Sequence, residues 1–157
     1  MADNNEPVFN IQRVYLKEAS LEQPNSPAIF LEQAQPSVEI NLHMADESAG
    51  EGFYEVALTV TVTAKVNDRV LFLAECREAG IFEIRNIAGE QLDTVLKVIC
   101  PQIIYPYLRG NLADMTQRGG FPPVRLTELN FQAMYEQQKA AEASKDGAAA
   151  PGSATLQ

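Results

Sequence analysis

Between Phe53 and Val66 the chain reads FYEVALTVTVTAKV, with apolar residues at every second place. Tyr54, Val56, Leu58, Val60, Val62, Ala64 and Val66 share one face, and Thr59, Thr61, Thr63 and Lys65 fill most of the other. A period of two predicts a long strand of an antiparallel sheet, one face packed and the other solvated. Asn67-Asp68 follows, two residues that tolerate the left-handed conformation a tight hairpin turn demands. VLFLAECREAGIFEI then predicts the returning strand. Upstream, VFNIQRVYLKE and SVEINLHM predict two more strands, the second with Val38, Ile40 and Leu42 on one face. The segment between them, QPNSPAIFLEQAQP, holds three prolines and is too long for a hairpin turn, so it reads as a crossover or surface loop. ADESAGEG reads as a polar connection into the long strand.

From Gly89 the period becomes helical. Leu92, Val95, Leu96 and Ile99 recur at three- and four-residue steps. Pro101, which has no amide hydrogen and crowds the preceding turn, should end or kink this helix. Ile104, Leu108, Leu112 and Met115 form a second stripe that Gly119-Gly120 closes. Asn130 can cap a last helix from about Phe131 to about Ala143. The pattern defines an α+β fold: a four-stranded antiparallel sheet followed by helices. One domain is expected over residues 1–143, with 144–157, a small, polar, Pro/Gly-punctuated stretch, as a disordered tail.

Charge narrows the functional classes. The net charge of -9 would repel a phosphate backbone and disfavours nucleic acid as partner, while favouring a basic protein partner. No apolar run reaches the length of a membrane span, and MADNNEPVF lacks the features of a signal peptide. Cys76 and Cys100, in apolar contexts without CxxC spacing, read as reduced, buried thiols of a cytoplasmic protein. The single histidine, His43, has no second ligand at metal-binding spacing, so no metal site and no cofactor are expected. The glycines form no phosphate cradle. The acidic pairs show no matched acid and base, leaving an enzyme built on clustered carboxylates only as a rival reading.

One surface does stand out. On the returning strand Phe72, Ala74 and Cys76 alternate with Leu71, Leu73, Glu75 and Arg77. The first set should face the core or another subunit; the second offers leucines beside an acid on a face that a single sheet layer leaves open. With Glu18 and Glu22 following the first strand, this predicts a mixed apolar and acidic docking patch for a basic, partly apolar partner.

FNIQRVYLKEASLEQPNSP, YEVALTVTVTAK, FLAECREAGIFEI and, above all, CPQIIYPYLRGNLADMTQRGGFPPVRLTELNF, taken in order, resemble the SecB family of bacterial protein-export chaperones. The resemblance runs from about Val8 to Tyr135. It implies helices on one side of the sheet and assembly as a dimer of dimers. It also implies an ATP-independent chaperone that holds precursor proteins unfolded and delivers them to SecA, the translocase ATPase. By the same resemblance the SecA-contacting positions are Glu18, Glu22, Leu73 and Glu75, and the client groove holds Gln35, Val38, Ile40, Leu42 and Tyr135. Phe72, Ala74, Cys76 and Glu78 match an assembly-sensitive face, with packing inside the protomer as the rival reading. Two departures bear on the groove wall: Ala34 stands where family members often carry tryptophan, and Lys139 where an apolar residue is common. A SecB-like chaperone dedicated to one partner, such as a toxin-antitoxin pair, is the alternative within the same class.

Overall fold

The computed structural model describes residues 5–147. Strands β1 (Val8–Glu22), β2 (Ser37–Gly50), β3 (Phe53–Val66) and β4 (Arg69–Arg85) form one antiparallel sheet in the order β1-β4-β3-β2. β1 and β2 therefore lie at opposite edges, and the segment joining them crosses the end of the sheet past the β3–β4 turn. There Glu32 accepts from Asn67 and Arg69, and Asn25 donates to the Val70 carbonyl. Asn67 and Asp68 adopt φ of 52° and 67°, the left-handed pair a two-residue hairpin requires. ADESAG is not a connection: β2 continues through it to Gly50, paired with β3 as far as Phe53, because a polar edge strand can keep its ladder bonds while its side chains stay wet.

Helices cover one face. α1 (Gly89–Thr94), a π-turn (Val95–Ile99) and α2 (Cys100–Arg118) run on without a break. Pro101 does not end the helix. The amide of Cys100 reaches back five residues to the Val95 carbonyl, and the widened turn accommodates a ring that would crowd a regular α-helix. The helix stops where expected. A Cβ on Gly119 would lie 2.7 Å from Leu21, and Gly120 takes φ of 96°. The buried Thr116 hydroxyl donates to the Leu112 carbonyl and accepts from the Val124 amide, fixing the outgoing chain against α2. α3 (Phe131–Gly147) begins with the Asn130 side chain accepting from the Ala133 amide. It extends four residues beyond the expected boundary at 143, and the remainder of the expected tail, 148–157, lies outside the described residues.

The core lies between sheet and helices. Val56, Leu58, Val60, Val62 and Ala64 of β3 and Phe72, Ala74, Cys76, Phe82 and Ile84 of β4 pack against Ile104, Leu108 and Leu112 of α2. Leu71 joins this core and is absent from the open face, because it is the extra residue of a bulge: Ala64 pairs with Phe72, and Lys65 with Val70. Burial pushes the Cys76 thiol up to about 11 and the Cys100 thiol up to about 12, which leaves both protonated and unreactive at neutral pH.

Candidate functional site: an apolar groove and an acidic face

The helix layer stops short of the β2 edge. Val38 and Ile40, on the face of β2 that turns toward the helices, remain 50% and 43% exposed, and Leu42 is half-buried. Next to them the connection between α2 and α3 rises as a second wall. It is held by the Tyr105 hydroxyl, which donates to the Thr127 carbonyl at 2.6 Å. Ile40, Leu42, Val60, Tyr105, Leu126 and Leu129 enclose most of an apolar depression of about 270 Å³. Beyond it lies the outer edge of β2, whose backbone groups face no further strand in the sheet.

Of the five positions expected in the groove, the structure brings Val38, Ile40 and Leu42 together. Gln35 is exposed on the crossover before β2. Tyr135 lies apart from these three. It is 8% exposed in the core, and it lines a polar depression with Glu90, Asp93, Lys97 and Lys139. Lys139 pairs with Glu90, and its ammonium lies 5.4 Å from the centre of the Tyr135 ring. The sequence reading missed Phe30 and Leu31, which stand exposed on the crossover, Leu31 at 83%. Phe30 rests on Phe121, whose ring lies tilted at 36° against buried Phe72 with the centroids 4.6 Å apart. Two adjacent apolar residues inside a proline-bounded loop were the signal.

The opposite face of the sheet is uncovered. Across it the strand register lays out three rows: Glu22, Leu73, Thr63, Glu39; then Ser20, Glu75, Thr61, Asn41; then Glu18, Arg77, Thr59, His43. Glu22, Leu73 and Glu75 line one shallow depression of about 260 Å³ with Ser20, Thr61 and Thr63. Glu18 lies one row further, largely exposed and 3.9 Å from the Arg77 guanidinium. All four expected docking residues thus occupy one patch, and Glu39 adds an acid that sequence reasoning did not single out.

Phe72, Ala74, Cys76 and Glu78 lie on the helix-side face of β4. Each is at most 3% exposed within the single protomer, under α2, where Asn111 donates to Glu78 at 2.7 Å. They are buried within the protomer. Desolvation raises the Glu78 carboxyl above the usual range, and the Asn111 hydrogen bond offsets part of this. Among the described residues no group of three His, Cys, Asp or Glu side chains could hold a metal ion, and no helix is long and apolar enough to cross a membrane.

An α+β sandwich with one apolar groove beside an open strand edge, and an acid-rimmed face on its other side, defines a polypeptide-binding class of protein. The comparisons narrow the class. The family model described as preprotein translocase subunit SecB matches residues 2–142. The chain is 60% identical over 151 residues to the protein-export protein SecB of Verminephrobacter eiseniae, covering 96% of this chain and 97% of that one. It is 62% identical over 137 residues to that of an Acidovorax species, covering 87% and 91%. Among solved structures, a Mycobacterium tuberculosis SecB-like chaperone in complex with a ChAD peptide from the HigA1 antitoxin matches in fold. Its TM-score is 0.61 at 16% identity, over 78% of this chain and 91% of that one. The chain belongs to the SecB family, the chaperones of preprotein export.

Proposed function

We propose that this protein works without ATP in the cytoplasm, holding precursor polypeptides unfolded in the groove along β2 and passing them to SecA through the acidic face. The observation that carries this reading is the apolar depression beside the free β2 edge. Burying apolar surface yields about 25 cal/mol per Å² with no directional demand, and a free edge can pair with the backbone of any extended chain. Such a site accepts many sequences and rejects folded proteins, whose apolar segments are already covered. The fold likeness to a SecB-like chaperone seen with a bound peptide supports it. A chaperone dedicated to one partner is not favoured, since the 60% relatives are export proteins and the antitoxin-bound neighbour is 16% identical.

We propose assembly as a dimer of dimers. β1 is the other open edge, and on its helix-side face Ile11 and Leu16 remain 49% and 48% exposed, which suits continuation of the sheet into a second copy. The test of function presents the protein with one precursor, denatured or native, then adds SecA and nucleotide. Retention of the denatured form alone, followed by release to SecA, is expected; equal retention of both forms would overturn the reading.

A further inference from the structure

The acids on the uncovered face of the sheet are of two kinds. Glu22 and Glu75, which line the shallow depression beside Leu73, make no ion pair among the described residues. Glu18 and Glu55 each face a cation. Arg77 lies 3.9 Å from Glu18, and Lys17 donates to the two oxygens of Glu55 at 2.9 and 2.8 Å. One acid of the docking patch, Glu18, thus already has a counter-ion inside the chain.

The sheet register places that counter-ion. Arg77 of β4 is paired with Glu18 of β1 on one side and with Thr59 of β3 on the other. Its Nε donates to the Thr59 hydroxyl at 2.9 Å, and Thr59 is 8% exposed, so one end of the guanidinium is fixed to the sheet. The contact with Glu18 is loose. At 3.9 Å it is an ion pair without a hydrogen bond, between side chains 37% and 56% exposed, so water and a competing cation both reach it. Arg77 also borders a hollow of about 190 Å³ that it lines with Lys17, His43 and Glu55. Burial there pushes the Glu55 carboxyl up, but the hydrogen bonds from Lys17 and Tyr15 and the charges of Lys17 and Arg77 outweigh it and hold the group below its usual range. The guanidinium therefore stands between two carboxylates, one in the docking patch and one outside it.

We propose that Arg77 is an internal counter-ion that moderates docking: it shields Glu18 in the free protein, and a basic partner displaces it to reach that carboxylate. The inference rests on the reading of this face as the docking site and adds the residue that sets its strength. Displacement costs little, because Arg77 keeps its hydrogen bond to Thr59 and the nearby charge of Glu55 when Glu18 turns to the partner. Such a counter-ion suits a handover, in which the carrier has to leave its partner once the client has passed on.

The test titrates SecA against the full-length protein as wild type, Arg77→Gln, Arg77→Lys, Glu18→Gln and Glu18→Gln/Arg77→Gln, with folding checked by thermal melts. Glutamine removes the charge and keeps a donor for Thr59. Arg77→Gln should bind SecA about two- to fivefold more tightly than wild type at low salt, the range of one exposed ion pair, and about equally at high salt. Arg77→Lys, which restores the charge, should lose most of that gain. In the Glu18→Gln background the same substitution should gain little, because the shielded acid is gone. If SecA binds wild type while Arg77→Gln binds it equally or more weakly, the inference falls and the docking reading stands. A gain undiminished in the Glu18→Gln background, or retained in full by Arg77→Lys, also overturns it. If SecA binds none of the five proteins, the docking reading falls and takes the inference with it.

Discussion

The Tyr105 hydroxyl donates to the Thr127 carbonyl at 2.6 Å, joining α2 to the connection that walls the groove. Tyr105 is buried, and desolvation raises its hydroxyl above the ordinary tyrosine value, partly offset by Arg109, so it remains a donor throughout the neutral range. Tyr105→Phe leaves a carbonyl without its partner. Its cost should be about 1 kcal/mol, read as a drop in Tm of about 2–4 °C, with weaker binding of apolar peptides as the wall loosens. An unchanged Tm with unchanged peptide affinity would show that the bond does not set the wall.

Glu75 stands in a row with Ser20, Thr61 and Asn41 on the uncovered face, away from the groove. Charge complementarity governs a docking face, and apolar area governs the groove. Glu75→Lys should therefore weaken SecA binding about tenfold or more at low salt while peptide affinity stays within about twofold. Titration of SecA against both proteins checks this, and equal affinities would reject the docking assignment.

Glu78 gives a pH signature. Its carboxyl is raised in the folded protein by desolvation, so folding favours the protonated form. That contribution is fully present below the ordinary glutamate range and is lost as pH rises through the raised value. Glu78→Gln copies the protonated form and can keep the hydrogen bond from Asn111. Thermal melts should show the variant more stable than wild type at pH 8, with the gain shrinking toward pH 4; a gain independent of pH would contradict the assignment.

Leu16 lies on the helix-side face of the free β1 edge, opposite Glu78. A charge there should oppose continuation of the sheet without disturbing the protomer. Leu16→Lys should lower the particle mass measured by light scattering, and a mass equal to wild type would move the assembly face elsewhere.

Much of this architecture is legible in the residues alone. The alternation of β3, the Asn67-Asp68 turn, the Gly119-Gly120 stop and the Asn130 cap are local, and each has a local physical cause. What was not legible depends on partners distant in sequence. Ala45 to Gly50 carry no apolar pattern and become strand only through pairing with β3. Leu71 changes sides through a bulge that alternation cannot reveal. Pro101 survives inside a helix because the turn before it widens.

The site divides in the same way. Glu18, Glu22, Leu73 and Glu75 meet because strand parity, which is readable, puts them on one face once the register is set. Phe72, Ala74 and Cys76 fall on the core side of β4 that strand parity offers them, whereas the burial of Tyr135 depends on the seating of α3, which no strand pattern discloses.

The central claim is that the β2 groove is where unfolded chain is held. It is tested most directly by the affinity of one denatured precursor for wild type and for Ile40→Asp/Leu42→Asp, with folding and particle mass verified for both. Each buried aliphatic side chain contributes about 1.5–3 kcal/mol, so the account predicts a loss of at least tenfold. Undiminished affinity in a correctly assembled variant would contradict it.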